Sequence, residues 1–308
     1  MQPPRRPTSD DLWRVRAFLR DAFMANGRRV RAWHVARFDY ARAHSCPNVA
    51  GVRLEDVAWL WEGDEGVAAL LAPDGGKGEA HLSVAPAARS PELFAEMLDV
   101  AEAELAVVGE RRSRLLVWAD ADDAELRDLL AGRGYRAEGT VERQYRRVLD
   151  AAVGVTVPAP GYVMRHVSDG LELLERCYAS GLAFHDGDLG AAVENRADTS
   201  WYRSIQAAPL YRRDLDLVAV SEAGEIAGFV TLWFDDVTRS VLVEPLGVVP
   251  AHRRRGLGRA LLGEGLARAQ RLGATLALVG GYDDAADALY GAVFGAAEGR
   301  CEAWLGTL

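Results

Sequence analysis

The sequence predicts an α/β fold (an α+β arrangement of helices around a mixed sheet) that is present twice in tandem. Three observations carry this expectation. The chain has 308 residues, 49% of them apolar, which exceeds one ordinary domain and suffices for two cores. Strand-like and helical periodicities recur in the same order in the two halves. Residues recur as well: Leu82-Ser83-Val84-Ala85-Pro86-Ala87-Ala88-Arg89 can be laid on Leu246-Gly247-Val248-Val249-Pro250-Ala251-His252-Arg253, and Leu129 with Ala137-Glu138-Gly139 falls on Leu289 with Ala297-Glu298-Gly299. A first domain over 1–150 and a second over 151–308 follow.

In the first half, Thr8-Ser9-Asp10-Asp11 caps a helix to about Asn26 with Leu12, Val15, Leu19, Ala22 and Phe23 at helical spacing. A second helix is expected over 30–44, strands over 57–61, 66–71 and 79–84, a helix over 91–107, a strand over 114–118, a helix over 122–133 and extended chain over 135–148. The Pro- and Gly-containing segment 149–161 reads as a linker. Then come a strand over 162–167, helices over 169–180 and 189–206, strands over 215–221, 225–233 and 239–249, a long helix from Gly256, a strand over 274–279, a helix over 284–293 and closing strands.

The chain is organised around Leu246 to Leu262, a buried strand running through a basic turn into a helix. A strand feeding a glycine turn at a helix start aims several unpaired N–H groups one way, which makes an anion site. Gly256-x-Gly258 is followed by Leu261 where a dinucleotide fingerprint needs a third glycine, and no Lys-Ser/Thr follows for a nucleotide P-loop. What remains, Val248-x-Pro250-x-x-Arg253-x-x-Gly256-x-Gly258, resembles the acyl-CoA pyrophosphate loop of the GCN5-related N-acetyltransferases, the GNAT superfamily. The resemblance is strong over the second half and extends to the first through the internal repeat.

The resemblance implies acetyl-CoA as co-substrate. Arg253, Arg254, Arg255, Gly256, Leu257, Gly258 and Arg259 would form the pyrophosphate loop, with the amides of Arg254 to Arg259 as donors, and the strand edge at Leu246, Gly247 and Val248 would pair with the pantetheine arm. The N–H near Val248 would face the thioester oxygen. Tyr290 lies in Asp283-x-x-Ala286-x-x-Leu289-Tyr290, similar to the family's Asn-x-x-Ala-x-x-x-Tyr helix, which implies a proton donor to the departing thiolate. Asp283 replaces the usual Asn and weakens the expectation of an amide contact to the CoA arm. Glu244, on the strand just before the cofactor edge, is the candidate base for the amine proton.

On the register of this repeat Glu92 and Phe94 stand where the second copy has Gly256 and Gly258, Leu130 opposite Tyr290, and Ala80 opposite Glu244. The first copy is therefore expected to be degenerate, and the second to bind acetyl-CoA and carry an N-acetyltransferase reaction on a small-molecule amine. The alternative is a non-catalytic acyl-CoA-binding or sensing module. Net charge −9 argues against nucleic acid as a partner. Cys46, Cys177 and Cys301 fit neither a disulfide framework nor a CxxC metal site, and imply a reducing cytoplasm. Phe184-His185-Asp186-Gly187-Asp188 reads as a solvated turn rather than a metal cluster, although it or Asp235 and Asp236 could face a cationic acceptor. No apolar run approaches the roughly 20 residues of a membrane span, and the arginine pair at Arg5-Arg6 is followed by no apolar core of an export signal. The identity of the amine and the oligomeric state are not legible.

Overall fold

The computed structural model describes residues 1–109, 112–154, 157 and 160–308. Two compact units emerge: unit 1 comprises 1–144 and 298–308, and unit 2 comprises 145–297.

Unit 1 opens with α1 (Leu12–Ala25), which buries Val15, Phe18, Leu19, Ala22 and Phe23. The preceding turn is closed by Asp11, whose Oδ2 accepts from the Thr8 N–H (2.9 Å) and hydroxyl (3.0 Å). The next helix, α2 (Val35–Tyr40), is shorter than its periodicity suggests and passes into a π-helical stretch, Ala41–Val49. That stretch contains Pro47, which has no N–H to continue an α ladder. There follow α3 (Leu54–Val57), β1 (Trp59–Gly63), β2 (Gly66–Ala72), β3 (Glu79–Val84), α4 (Pro91–Glu104), β4 (Val107–Val108), β5 (Ser113–Asp120), α5 (Ala124–Gly132) and β6 (Arg136–Val148).

The chain enters unit 2 at Tyr145, inside β6. Of the expected linker, residues 155, 156, 158 and 159 lie outside the described residues. Its start is tied down: Leu149 and Val153 are buried, and the Gln270 amide donates to the Leu149 and Ala151 carbonyls (3.1 and 2.8 Å). Unit 2 continues with β7 (Tyr162–His166), α6 (Leu171–Phe184), α7 (Leu189–Ala197), α8 (Ser200–Gln206), β8 (Asp216–Ser221), β9 (Ile226–Asp235), β10 (Ser240–Val248), α9 (Leu257–Arg271), β11 (Leu276–Gly281) and α10 (Asp284–Phe294). Its strands run β7-β8-β9-β10-β11, and α9 and α10 pack Leu257, Leu261, Leu262, Leu266 and Phe294 into one core with β8 to β11.

One expectation is corrected here. The chain closes with a single strand, β12 (Gly299–Thr307), and it belongs to unit 1, not to the second domain. It lies between β5 and β6 in the order β1-β2-β3-β5-β12-β6, with Ala303 opposite Trp118 on one side and Cys301 opposite Glu142 on the other. Alternate residues Cys301 and Ala303 are buried, so the strand completes the unit 1 sheet by ordinary period-two packing.

The repeat is structural, with a difference in loop length. In both units a strand is followed by a 3-10 turn, Pro86–Ala88 and Pro250–His252, and then a helix. From Pro86 to the helix start at Pro91 is five residues, and from Pro250 to Leu257 is seven. The ungapped register at Glu92 and Phe94 therefore fails. Phe94 is turned into the unit 1 core, 1% exposed, and meets no anion site.

Candidate active site

The site is built where β10 leaves β11. The two strands pair in parallel only at Ser240, Leu242 and the residue between them. On its other edge β10 pairs with β9, but the ladder breaks between Val243 and Leu246, where Glu244 and Pro245 bulge out; Pro245 has no N–H to offer a ladder. Trp233, fully buried, donates its indole N–H to the Glu244 carbonyl and so holds the bulge. The ladder then resumes through Leu246, Gly247 and Val248. The Val249 N–H points to β9, donating to Ala227 (3.0 Å), so alternation turns the Val248 N–H to the opposite edge, away from β9. An edge of backbone, half-exposed at Leu246 and Val248, is thus left beyond the point where β11 pairs.

The turn after β10 is clamped from two sides. Arg253 folds back to donate to the Val248 carbonyl (3.2 Å), the Ala183 carbonyl (3.1 Å) and Asp186 (3.0 Å). Arg255 donates to the Tyr162 hydroxyl (2.8 Å), which shares a hydrogen bond with His252 Nδ1 (2.9 Å). The guanidinium groups of Arg253 and Arg255 thus hold the loop. Arg254 and Arg259 are exposed and make no hydrogen bond or ion pair among the described residues. Likewise, among the described residues the N–H groups of Arg254, Arg255, Gly256, Leu257, Gly258 and Arg259 donate to no acceptor. Arg254 (φ 64°) and Gly256 (φ 74°) are both left-handed, which curls these amides into a nest at the start of a 15-residue helix. Its chemistry is that of an anion cradle.

The glycines have separate reasons. Gly256 is required by its φ. A Cβ on Gly258 would stand 3.0 Å from Leu289 Cδ2, so α9 and α10 approach closely there. A Cβ on Gly247 would stand 2.4 Å from Phe229 Cζ, which makes this glycine a packing requirement of the sheet.

At the far end of the splay stands Tyr290, 8% exposed, edge-on to Tyr145 (5.8 Å) and Phe294 (6.3 Å). Burial raises its phenol above the ordinary value of 10, and the carboxylates of Glu244, Asp283 and Asp287 raise it further. Tyr290 is therefore a neutral O–H in the electrostatic reach of Glu244. Asp283 acts as the N-cap of α10, accepting from Ala286 N–H (2.8 Å). Among the described residues, the start of α4 in unit 1 offers no such cradle. The cap of α4 is Ser90, accepting from Leu93 N–H (3.2 Å), Pro91 lacks an N–H, and the Glu92 carboxyl is held below its usual range by its own N–H and the Ser90 hydroxyl.

A family model described as the Acetyltransferase (GNAT) family matches residues 182–296. The chain carries a GNAT domain. Across the whole chain the fold is similar to that of solved GNAT structures, one of them a tandem GNAT protein. A GCN5-related N-acetyltransferase from Sphaerobacter thermophilus aligns over 99% of this chain and 95% of its own, at 18% identity and TM-score 0.69. A tandem GNAT protein from the clavulanic acid biosynthesis pathway aligns over 99% and 97%, at 17% identity and TM-score 0.65. At these identities the likeness establishes fold. Comparison with curated protein sequences gives no match.

Within unit 2, three contributors carry no sequence motif. Tyr145 donates to Asp287 Oδ1 (2.9 Å), and Gly281 leaves room for that pair, since its Cβ would fall 2.5 Å from the same oxygen. Trp233 is signalled only by the general rule that a buried indole N–H finds an acceptor. Asp235 is withdrawn as an acceptor-site candidate: it is 0% exposed and closes a turn by accepting from Thr238 N–H (3.1 Å) and hydroxyl (2.7 Å). In the 184–188 turn Asp186 pairs with Arg253 and Asp188 caps α7, and no metal-ligating cluster is found among the described residues.

Proposed function

We propose that the GNAT domain is an N-acetyltransferase that moves the acetyl group of acetyl-CoA to the amine of a small-molecule acceptor. The observation that carries this is the coincidence of the unused amides 254–259 and the unpaired Arg254 and Arg259 with a free β10 edge that leads toward Tyr290 and Glu244. Pyrophosphate fits the cradle by charge and by donor count. The pantetheine amides find partners along Leu246 to Val248, and the Val248 N–H serves the thioester oxygen.

In the reaction the amine nitrogen bonds to the acetyl carbon as the carbon–sulfur bond breaks. An alkylamine of pKa about 10.4 is free base only about one part in 2500 at pH 7, a cost of roughly 4.6 kcal/mol. Glu244, directly or through water, accepts that proton. The same event helps the leaving group. A negative Glu244 raises the Tyr290 phenol; once Glu244 is protonated that contribution is lost and Tyr290 becomes the stronger acid toward the departing sulfur. As the amide forms, the tetrahedral nitrogen gives up its second proton, which replaces the one Tyr290 hands to the sulfur, and the proton held by Glu244 returns to solvent.

The test is a pH–rate profile of CoA release, after an amine panel has identified an acceptor. Glu244→Gln should lose rate most severely at low pH, where free amine is scarce, and regain part of it as pH rises. Superimposable profiles would remove Glu244 from the mechanism. No acceptor-dependent CoA release across the panel would favour an acyl-CoA-binding module.

A further inference from the structure

Unit 1 has its own splay, and its contents differ. β3 and β5 pair in parallel only from Glu79 to His81, opposite Leu116 to Trp118. Beyond that point lies a cavity of about 40 Å³ lined by Trp33, His81, Trp118, Asp120, Glu142 and Gln144, among others. One water needs only about 10–15 Å³ by such a measure. The walls are aromatic: His81 stacks on Trp118 (5.8 Å, 6°), and Trp33 packs against His81 (5.2 Å).

Two of these side chains are unsatisfied. Trp33 and His81 are 4% and 7% exposed, yet neither Trp33 Nε1 nor His81 Nε2 has a hydrogen-bond partner, the Glu79 carboxylate standing 4.0 Å from His81 Nε2, beyond hydrogen-bond reach. Buried polar atoms left this way cost about 1–3 kcal/mol each, which asks for an occupant. Desolvation holds His81 well below its ordinary value, so its ring is neutral and supplies a lone pair as well as an N–H. The cations nearby are committed. Arg37 bridges Asp74 (2.8 Å) and Glu142 (3.1 Å), Arg31 pairs with Asp122, and Arg89 pairs with Asp123 (2.7 Å). Asp120 is left with a single hydrogen bond, from Gln144 (3.3 Å), and no ion pair among the described residues; burial pushes its carboxyl up to about 7, so it is charged and ready for a cation above that pH.

We propose that this cavity binds a small primary ammonium compound that also carries a hydrogen-bond acceptor. The ammonium group pairs with Asp120 and with a lone pair at His81 Nε2, against the faces of Trp33 and Trp118. The acceptor, a hydroxyl or carbonyl oxygen, takes the Trp33 indole proton. An anion is disfavoured, because the lining offers it no uncommitted cation and one unpaired carboxylate. Every residue in the site lies in unit 1, so the proposal does not depend on acyl transfer in the GNAT domain.

The test uses the full chain with tryptophan labelled for indole N–H resonances, the Trp33 signal being assigned with Trp33→Phe. Titration with ethanolamine, run above the Asp120 value of about 7, should move that signal saturably. Methylammonium, which lacks the acceptor, should bind more weakly and shift it less. Sodium acetate should not bind. Asp120→Asn, which keeps shape and removes charge, should weaken ethanolamine roughly tenfold or more. The proposal is overturned if acetate binds as tightly as ethanolamine, if ethanolamine gives no saturable shift in the unaltered protein, or if folded Asp120→Asn retains full affinity.

Discussion

Tyr290 owes its character to its neighbours. Burial first, then the carboxylates of Glu244, Asp283 and Asp287, keep the phenol protonated above its ordinary range, so its ionisation should impose no decline in rate until well above pH about 10. Tyr290→Phe keeps the ring against Tyr145 and Phe294 and removes only the O–H. On the proposed reaction turnover should fall roughly a hundredfold with acetyl-CoA affinity unchanged, because a leaving-group donor acts mainly in the transition state. Unchanged turnover, measured where chemistry limits the rate, would leave Tyr290 a packing residue. The spacing from Asp283 to Tyr290 was enough to single this tyrosine out. The division of labour among the arginines was not legible, because the direction of Arg253, Arg254 and Arg255 is set by a left-handed Arg254. A non-glycine residue seldom adopts that conformation, and no local pattern announces it.

At the scale of elements, β9 and β10 were readable as apolar runs, and all ten residues of β9 are buried. The two-residue difference between the loops after β3 and β10 was hidden, since an ungapped register aligns Phe94 with Gly258 whatever the backbone does. The close packing of Gly247 on Phe229 was equally hidden, being a contact across the β9–β10 pair. It gives a direct check. Phe229 is fully buried, with the Arg176 guanidinium 3.5 Å above its ring and Phe184 at 5.7 Å, so the ring has little freedom to yield. Gly247→Ala should cost roughly 1–3 kcal/mol in denaturant unfolding. A neutral or stabilising result would mean that the β10 edge is not held by this contact.

For the molecule as a whole, the repeated order of elements foretold two copies of one fold, but not where the last strand goes. A terminal segment with alternating buried residues satisfies either sheet in principle, and only long-range pairing chose β5 and β6 of unit 1. Deleting residues 298–308 should therefore expose both of those strands. Amide exchange should rise in 113–120 and 136–144 while α9 and β9 stay protected; loss confined to unit 2, or no change, would contradict the assignment of β12. The central claim, that acyl-CoA is held by the loop of unit 2 and not by its counterpart, is tested most directly by calorimetric titration of the full chain with acetyl-CoA. Arg254 and Arg259 are exposed and have no partners among the described residues, so reversing both to Glu should leave the fold intact. The account predicts a single site per chain whose affinity falls more than roughly tenfold in that double variant; two equivalent sites, or undiminished binding by the variant, would contradict it.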